Sequence, residues 1–248
     1  MKNIVFIPAV VIPGMETRSA SYEWGIKSWK VWCDKNDCEL FILSELLCPV
    51  ETMKITWQRY YVFDLLEASG IDYAQVLMVD ADTVIHPDCP NFFNLTDNKF
   101  TGVAVDGSYD WLFRSMENYS KHLFNDKWFN FWEYYQGGFQ IVNVAHKPFY
   151  KSILNFYIEN KPLIDQLQTF HVGTDQPVVN FLLREHNIDL KLLDWTFSMS
   201  DIANKELLDD ELTFTSIPGV YQFNAIPNNV NNMLTHKFME AAYKKLYL

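Results

Sequence analysis

VLMVDADTVI, residues 76–85, is the stretch on which the reading of this chain turns. The apolar run Val76 to Val79 reads as a buried strand that delivers Asp80 and Asp82 to its carboxyl end, and Val84 and Ile85 follow as a second apolar pair. In an alternating α/β sheet, ligands bind in the crevice outside the carboxyl ends of the strands. Two carboxylates one residue apart at such a turn can converge on one divalent cation. Hard oxygen ligands suit magnesium or manganese, and substrate phosphates can fill the positions left over. The stretch therefore predicts a metal-assisted enzyme acting on a phosphate-bearing substrate. Its bland alternative is that one Asp caps the turn and the other is solvated.

Outward from this motif, the pattern alternates strand and helix. Ile4 to Val11 is strand-like, Tyr22 to Lys35 has helical spacing through Trp24, Ser28, Val31 and Trp32, and Leu40 to Leu43 is a short strand. Thr52 to Ala68 reads as an aromatic helix stopped by Ser69 and Gly70, and Gln75 to Val79 is the strand that carries the DxD. This β-α-β-α-β opening predicts an α/β fold, a mostly parallel central sheet flanked by helices. A further strand, Thr101 to Val105, ends at Asp106. From Tyr109 to Tyr135 the rhythm breaks, because eleven aromatics among charges and Asn leave no clean period; the stretch reads as irregular helix on the core, a dimer contact, or a lid. Then come a strand, Phe139 to Val144, helices over Phe149 to Glu159 and Gly173 to Arg184, and a tail helix from Leu234 to Leu246. No repeat or linker interrupts the chain, so a single domain is expected.

Composition narrows the partners. The formal charge of −11 and the lack of a Lys/Arg cluster argue against nucleic acid. An acidic protein that holds a diphosphate must import positive charge locally, which a bound metal does. Aromatics reach 16% of the chain, supplying flat faces on which sugar rings or bases can pack. Cys33, Cys38, Cys48 and Cys89 lack the paired spacing of a zinc site and read as reduced thiols of a cytoplasmic protein. No stretch approaches the roughly 20 apolar residues of a membrane span. The N-terminus is read as a buried strand rather than a signal peptide, since Pro8 and Pro13 interrupt it. Oligomeric state is left open.

Three further segments, with the DxD, resemble the metal-dependent glycosyltransferases of GT-A fold, most closely the family 8-like group that includes glycogenin and bacterial galactosyltransferases. DADTVI matches that group's nucleotide and metal site, and YQGGFQIVN, residues 135–143, looks like its donor-sugar strand, with Gly137 and Gly138 at the small-residue positions. GTDQPVVNFLL, residues 173–183, resembles its D-Q pair, which maps to Asp175 and Gln176, and Arg59 sits where the family has a donor-reaching arginine. The resemblance implies a single GT-A domain, with about residues 1–106 as its Rossmann-like nucleotide and metal half and about 107–248 as its donor-sugar and acceptor half. It implies transfer of a sugar from a nucleotide-diphosphate sugar to a carbohydrate or glycoconjugate hydroxyl, with retention, using Mn2+ or Mg2+. Asp80, Ala81, Gly137, Gly138 and Arg59 are then donor-binding, Asp80 and Asp82 metal-binding, and Asp175 and Gln176 catalytic. Asp106, at the end of its strand, is a further candidate base or hydroxyl ligand.

One departure from the family stands out. Its late His in an apolar-H-F segment is replaced here by Gln222 before Phe223, so the third metal ligand is read as Gln222, with His236 as the rival. Arg59 has a structural reading too, a salt bridge with Asp64 or Asp72. Trp128 and Trp132 are the expected acceptor-side aromatics. Two other functions start from the same residues: a haloacid dehalogenase-like phosphatase with Asp80 as nucleophile and Asp82 as general acid, and a non-catalytic carbohydrate-binding protein of the same fold. The phosphatase motif normally lies on the first strand and needs a later Lys and a GDxxxD cluster. This chain puts a whole β-α-β-α unit ahead of its motif and lacks that cluster.

Overall fold

The computed structural model describes residues 1–11, 16–105 and 107–248, so Asp106 lies outside the described residues. In its first half, β1 (Lys2–Pro8), α1 (Glu16–Ala20), α2 (Tyr22–Asn36) and β2 (Cys38–Leu43) are followed by α3 (Ile55–Gln58), α4 (Val62–Ala68), β3 (Tyr73–Val79), β4 (Thr83–Ile85) and β5 (Phe100–Ala104). Next come α5 (Tyr109–Leu123), β6 (Tyr135–Asn143), α6 (Lys147–Gln168), α7 (Gln176–Glu185), β7 (Leu190–Leu193), β8 (Ser198–Met199), β9 (Val220–Gln222) and α8 (Met233–Tyr247).

The described residues form a six-stranded sheet in the order β2-β1-β3-β6-β5-β7. The pairings β1·β2, β1·β3 and β5·β7 are parallel, and β6 runs antiparallel between β3 and β5. Both faces are covered, which is why Val76 to Val79 is continuously apolar. Ile4, Phe6, Val76 and Met78 face a core with Trp57, Phe63, Tyr150 and Val178, while Val5, Ile7, Leu77 and Val79 face one built on Trp29 and Trp32 of α2. A second, three-stranded sheet, β4-β9-β8, stands beyond the DxD turn.

Several elements differ from the sequence reading. The Thr52 to Ala68 helix is divided by a 3-10 turn at Arg59–Tyr61, a local tightening of the kind that often marks a functional position. The first half of the aromatic stretch is a regular helix, α5, because Leu112, Met116 and Tyr119 bury one face and the surface aromatics between them only obscured the period. α6 runs on through Pro162 to Gln168: buried Ile164 and Leu167, with Lys54 and Lys161 both paired to Asp165, outweigh the lost backbone hydrogen bond. The strand read as Phe139 to Val144 begins at Tyr135, and α7 begins at Gln176, not Gly173.

α2 lies unusually close to the DxD turn. A Cβ on Gly25 would fall 2.4 Å from the Thr83 carbonyl oxygen and 3.0 Å from that of Ala81, and backbone cannot give way cheaply. In an ordinary helix interior Gly→Ala stabilises by about 1 kcal/mol. Here Gly25→Ala is expected to destabilise by about 1–3 kcal/mol, read from urea denaturation of the two proteins; a stabilised variant would show that the helix is free to move off the turn.

Candidate active site

The site begins where β3 stops. Beyond Val79, whose partner is Phe139, the Asp80 amide still donates to the Gly138 carbonyl at 3.1 Å before the chain leaves the sheet. The turn is fixed by Thr83, whose hydroxyl donates to the Asp80 carbonyl at 2.7 Å and accepts from the Trp29 indole at 2.9 Å. β4 then pairs antiparallel with β9, setting Thr83 opposite Gln222, and the Phe223 amide donates to the Asp82 carbonyl at 2.9 Å. The small second sheet therefore brings Gln222 to the DxD turn.

Departure of the DxD turn leaves one edge of β6 without a strand partner from Tyr135 to Gly137, and α7 covers it. The Asn180 side chain accepts from the Tyr135 amide at 3.1 Å and donates to its carbonyl at 2.9 Å, and Gln176 Oε1 accepts from the Gly137 amide at 2.7 Å. Side-chain amides stand in for a neighbouring strand. Over Gly138 two side chains meet: a Cβ there would lie 1.7 Å from Gln222 Nε2 and 2.8 Å from Asp80 Oδ2. Only glycine leaves that space.

Arg59 joins the two halves. Its Nη1 donates to Asp80 Oδ1 at 2.7 Å, while Nη2 and Nε donate to Asp175 Oδ2 at 2.5 and 3.1 Å, and the Tyr60 hydroxyl adds a bond to the same oxygen at 2.8 Å. Its partners are thus Asp80 and Asp175, not the Asp64 or Asp72 of the sequence reading, because the 3-10 turn carries it inward to 6% exposure. Burial opposes the charge of Arg59, but Asp175 and then Asp80 hold its guanidinium well above the usual range. Burial pushes the Asp80 carboxyl up against the pull of Arg59, and burial followed by the like charge of Asp80 pushes Asp82 up to about 6.

These groups line a cleft of about 230 Å3 at the carboxyl ends of β1 and β3, together with Arg18, Tyr22 and Trp111. Ala81, Gly137, Gly138 and Gln176 also face it, so the sequence candidates Arg59, Asp80, Ala81, Asp82, Gly137, Gly138, Asp175 and Gln176 come together in one place. Among the described residues no group of three or more His, Cys, Asp or Glu side chains converges to hold a metal; beside Asp80, over Gly138, lies the Gln222 amide. His236 points elsewhere. It lies on α8, its ring 6.3 Å from that of Trp24 and its Nε2 4.0 Å from Glu240. Trp128 and Trp132 are 56% and 64% exposed and do not line the cleft; from the aromatic stretch it is Trp111 that does, beside Tyr22 of α2. Tyr60, Asn180 and Trp111 went unnoticed in the sequence, although Tyr60 adjoins Arg59 and Asn180 follows Gln176 by one helical turn.

No protein-family profile and no curated protein matches the sequence. Solved structures do match the fold. A glycosyltransferase involved in the glycosylation of the major capsid of PBCV-1 superposes with a TM-score of 0.62 at 11% identity, over 97% of this chain and 100% of that one. The chain has a glycosyltransferase fold. The galactosyltransferase LgtC, solved in complex with donor and acceptor sugar analogs, superposes with a TM-score of 0.50 at 11% identity, over 99% of this chain and 96% of that one. The GT-A architecture is thereby shared nearly end to end, whereas identity this low carries no residue-level correspondence. No helix among the described residues is long and apolar enough to cross a membrane.

Two like charges held at one turn should weaken the metal-free fold. Asp82 is raised from 3.8 to about 6, so the folded state binds a proton more tightly than the unfolded one, and stability falls as pH rises through that window. In EDTA at pH 7, Asp82→Asn is expected to be more stable than the parent by about 1–2 kcal/mol, allowing for screening at a partly exposed group. The difference should fade near pH 4 in chemical denaturation. A destabilised Asp82→Asn at both pH values would mean that the carboxylate is a structural hydrogen-bond acceptor.

Proposed function

We propose that this protein is a metal-dependent glycosyltransferase that moves a sugar from a nucleotide-diphosphate sugar to an acceptor hydroxyl with retention of anomeric configuration. The observation that carries this reading is that Arg59 ties the DxD turn, whose Asp80 lies over Gly138, to Asp175 at the N-terminus of α7. The shared GT-A fold supports it and gives the phosphatase reading no support. Against a purely binding role stands the chemistry of the carboxylates, since a site for neutral sugar alone has no use for two crowded like charges.

The donor set suits a hard divalent cation. Asp80 keeps Oδ1 on Arg59 and turns Oδ2 over Gly138, Asp82 follows two residues later, and the buried Gln222 amide, whose Nε2 has no partner among the described residues, would present its oxygen to the same point when turned over. Asp80, Asp82 and Gln222 would hold manganese or magnesium, which supplies positive charge to the departing diphosphate. In the transfer the acceptor oxygen forms a bond to the anomeric carbon as the bond to the diphosphate breaks. The electron pair leaves on the phosphate oxygen, and the acceptor proton passes to the departing diphosphate. Gly137 and Gly138 let the sugar approach the backbone, and Gln176 borders the place where it sits. Asp175, bonded by Arg59, Tyr60 and Thr174, acts as the positioning residue that keeps Arg59 turned toward Asp80. The thiols Cys33, Cys38, Cys48 and Cys89 are all free, which fits a reducing compartment, and we place the protein in the cytoplasm.

Three measurements test this reading. Nucleotide-sugar binding, followed by thermal shift across a donor panel, is expected to require manganese or magnesium and to disappear in Asp82→Ala. Gln222→His is expected to tighten manganese binding, as imidazole is a stronger ligand for the later divalent metals, while His236→Ala leaves it unchanged. Loss of metal dependence in His236→Ala, with Gln222→Ala silent, would move the third ligand to α8. Proton NMR of the first product is expected to show the anomeric configuration of the donor; an inverted centre would transfer the role of base to a carboxylate such as Asp106.

A further inference from the structure

A second cavity, of about 450 Å3, meets the DxD cleft along a shared wall of Asp80, Trp111, Gly138 and Gln176. Apart from Gln222, which the transferase reading gives to the metal, the rest of its wall comes from residues that do not line the DxD cleft. Ser108 and Asp110 stand at the start of α5, Gln136 lies on β6, and Asp201, Asn204 and Asn224 come from the segments that follow β8 and β9.

The chemistry of that wall is one-sided. Its polar groups are hydroxyls, amides and carboxylates, and no Lys or Arg is among the described residues that line it. Cations near this wall are engaged: Arg59 between Asp80 and Asp175, Arg114 at 3.6 Å from Asp110, and Lys205 on the Ser200 carbonyl. A phosphate or carboxylate entering here would meet the charges of Asp110 and Asp201 without a paired guanidinium or ammonium to receive it. A neutral polyol meets the reverse situation, because each hydroxyl can donate to a carboxylate or amide oxygen and accept from an amide nitrogen. Ser108 already bonds Asp201, and the Asn224 side chain accepts from the Asp201 amide at 3.1 Å, so these groups are held in place before any ligand arrives. Trp111 is held as well. A Cβ on Gly173 would lie 2.6 Å from its indole and 2.7 Å from Pro177, which shows the ring packed directly on that backbone where the two cavities join. A fixed indole offers an apolar face to the C–H face of a sugar ring.

We infer that this second cavity is the acceptor subsite and that it selects an uncharged, hydroxyl-rich acceptor over phosphorylated or carboxylated ones, with Trp111 as the platform for the acceptor ring. The inference rests on the transferase reading. It adds a location, a charge class and a set of specificity residues to that reading: Asp110, Asp201 and Asn204.

The test starts from whichever uridine- or guanosine-diphosphate hexose binds in the presence of manganese. Consumption of that donor is followed with matched probes, methyl glucoside and methyl galactoside against methyl glucuronide and galactose 6-phosphate. The neutral probes are expected to raise donor consumption above its hydrolysis in water, and the anionic probes to be at least about tenfold poorer in kcat/KM. Asn204→Lys is expected to close most of that gap by adding a cation to the wall. Asp201→Asn, whose side chain suits the left-handed backbone at that position, is expected to narrow it. In both variants the donor Kd from calorimetry is expected to stay within about twofold of the parent, since neither residue lines the DxD cleft. If the anionic probes work as well as the neutral ones, or if no neutral probe stimulates an enzyme that binds donor, this inference is overturned while the transferase reading stands. Failure of the wild-type protein to bind any nucleotide sugar overturns both.

Discussion

Arg59 is the constraint on which the site depends. Four carboxylate-related bonds meet at two residues of one 3-10 turn, and they tie the end of β3 to the start of α7. Without that guanidinium, Asp80, Asp82 and Asp175 would be three acidic groups gathered in a protein that is already strongly acidic. Removing one partner of a buried, hydrogen-bonded charge pair costs several kcal/mol, chiefly through the charge left behind. The planar fork matters as much as the charge: one edge serves Asp175 through Nε and Nη2 while Nη1 serves Asp80. An ammonium at the same place has no such geometry.

The antiparallel placement of β6 gives Arg59 something to organise. Between β3 and β5 a parallel strand would have sent its carboxyl end to the same rim as Asp80. β6 instead enters the sheet there, so its first residues, not its last, lie beside the DxD turn. Gly137 and Gly138 therefore border the cleft just where β3 has departed, and α7 lends its amides to the vacant edge. Both are buried, and small residues occupy these positions because the side chains of Gln176, Gln222 and Asp80 need the volume.

Much of this was legible in the sequence. The apolar run ending in Asp80 and Asp82, the Gly pair in YQGGFQIVN and the Asp175-Gln176 step are local patterns, and each lands in the cleft. What stayed hidden depends on long-range geometry. Strands β4, β8 and β9 span only two or three residues each and have no period to detect, yet they bring Gln222 to the DxD turn. Arg59 reads as a donor-reaching arginine or as one half of a salt bridge with a carboxylate such as Asp64 or Asp72; it does pair with carboxylates, but with Asp80 and, across 116 residues, with Asp175. The aromatic segment misled for a different reason. Ring density is the same whether residues face a cleft or solvent; α5 brings Trp111 to the cleft, while Trp128 and Trp132, beyond the end of that helix, stay outside.

The tail helix α8 has a consequence for how the site comes into being. Thr235 holds the Phe223 carbonyl at 3.1 Å, Tyr247 holds that of Ile85 at 2.7 Å across 162 residues, and the Met239 methyl lies within reach of Gly25 behind the DxD turn. Thr235 and Phe223 lie only 12 residues apart, but the ties of Tyr247 to Ile85 and of Met239 to Gly25 behind the DxD turn close long loops, as does the bond of Arg59 to Asp175 in front of it. Closing loops of that length consumes chain entropy before any contact forms to offset it, so such pairings mature slowly. β1 pairs with β2 across 35 residues and with β3 across 72, both shorter spans than the 162 residues between Ile85 and Tyr247. A chain that has assembled this side of its sheet still lacks the tie from α8 to the strand that follows the DxD turn.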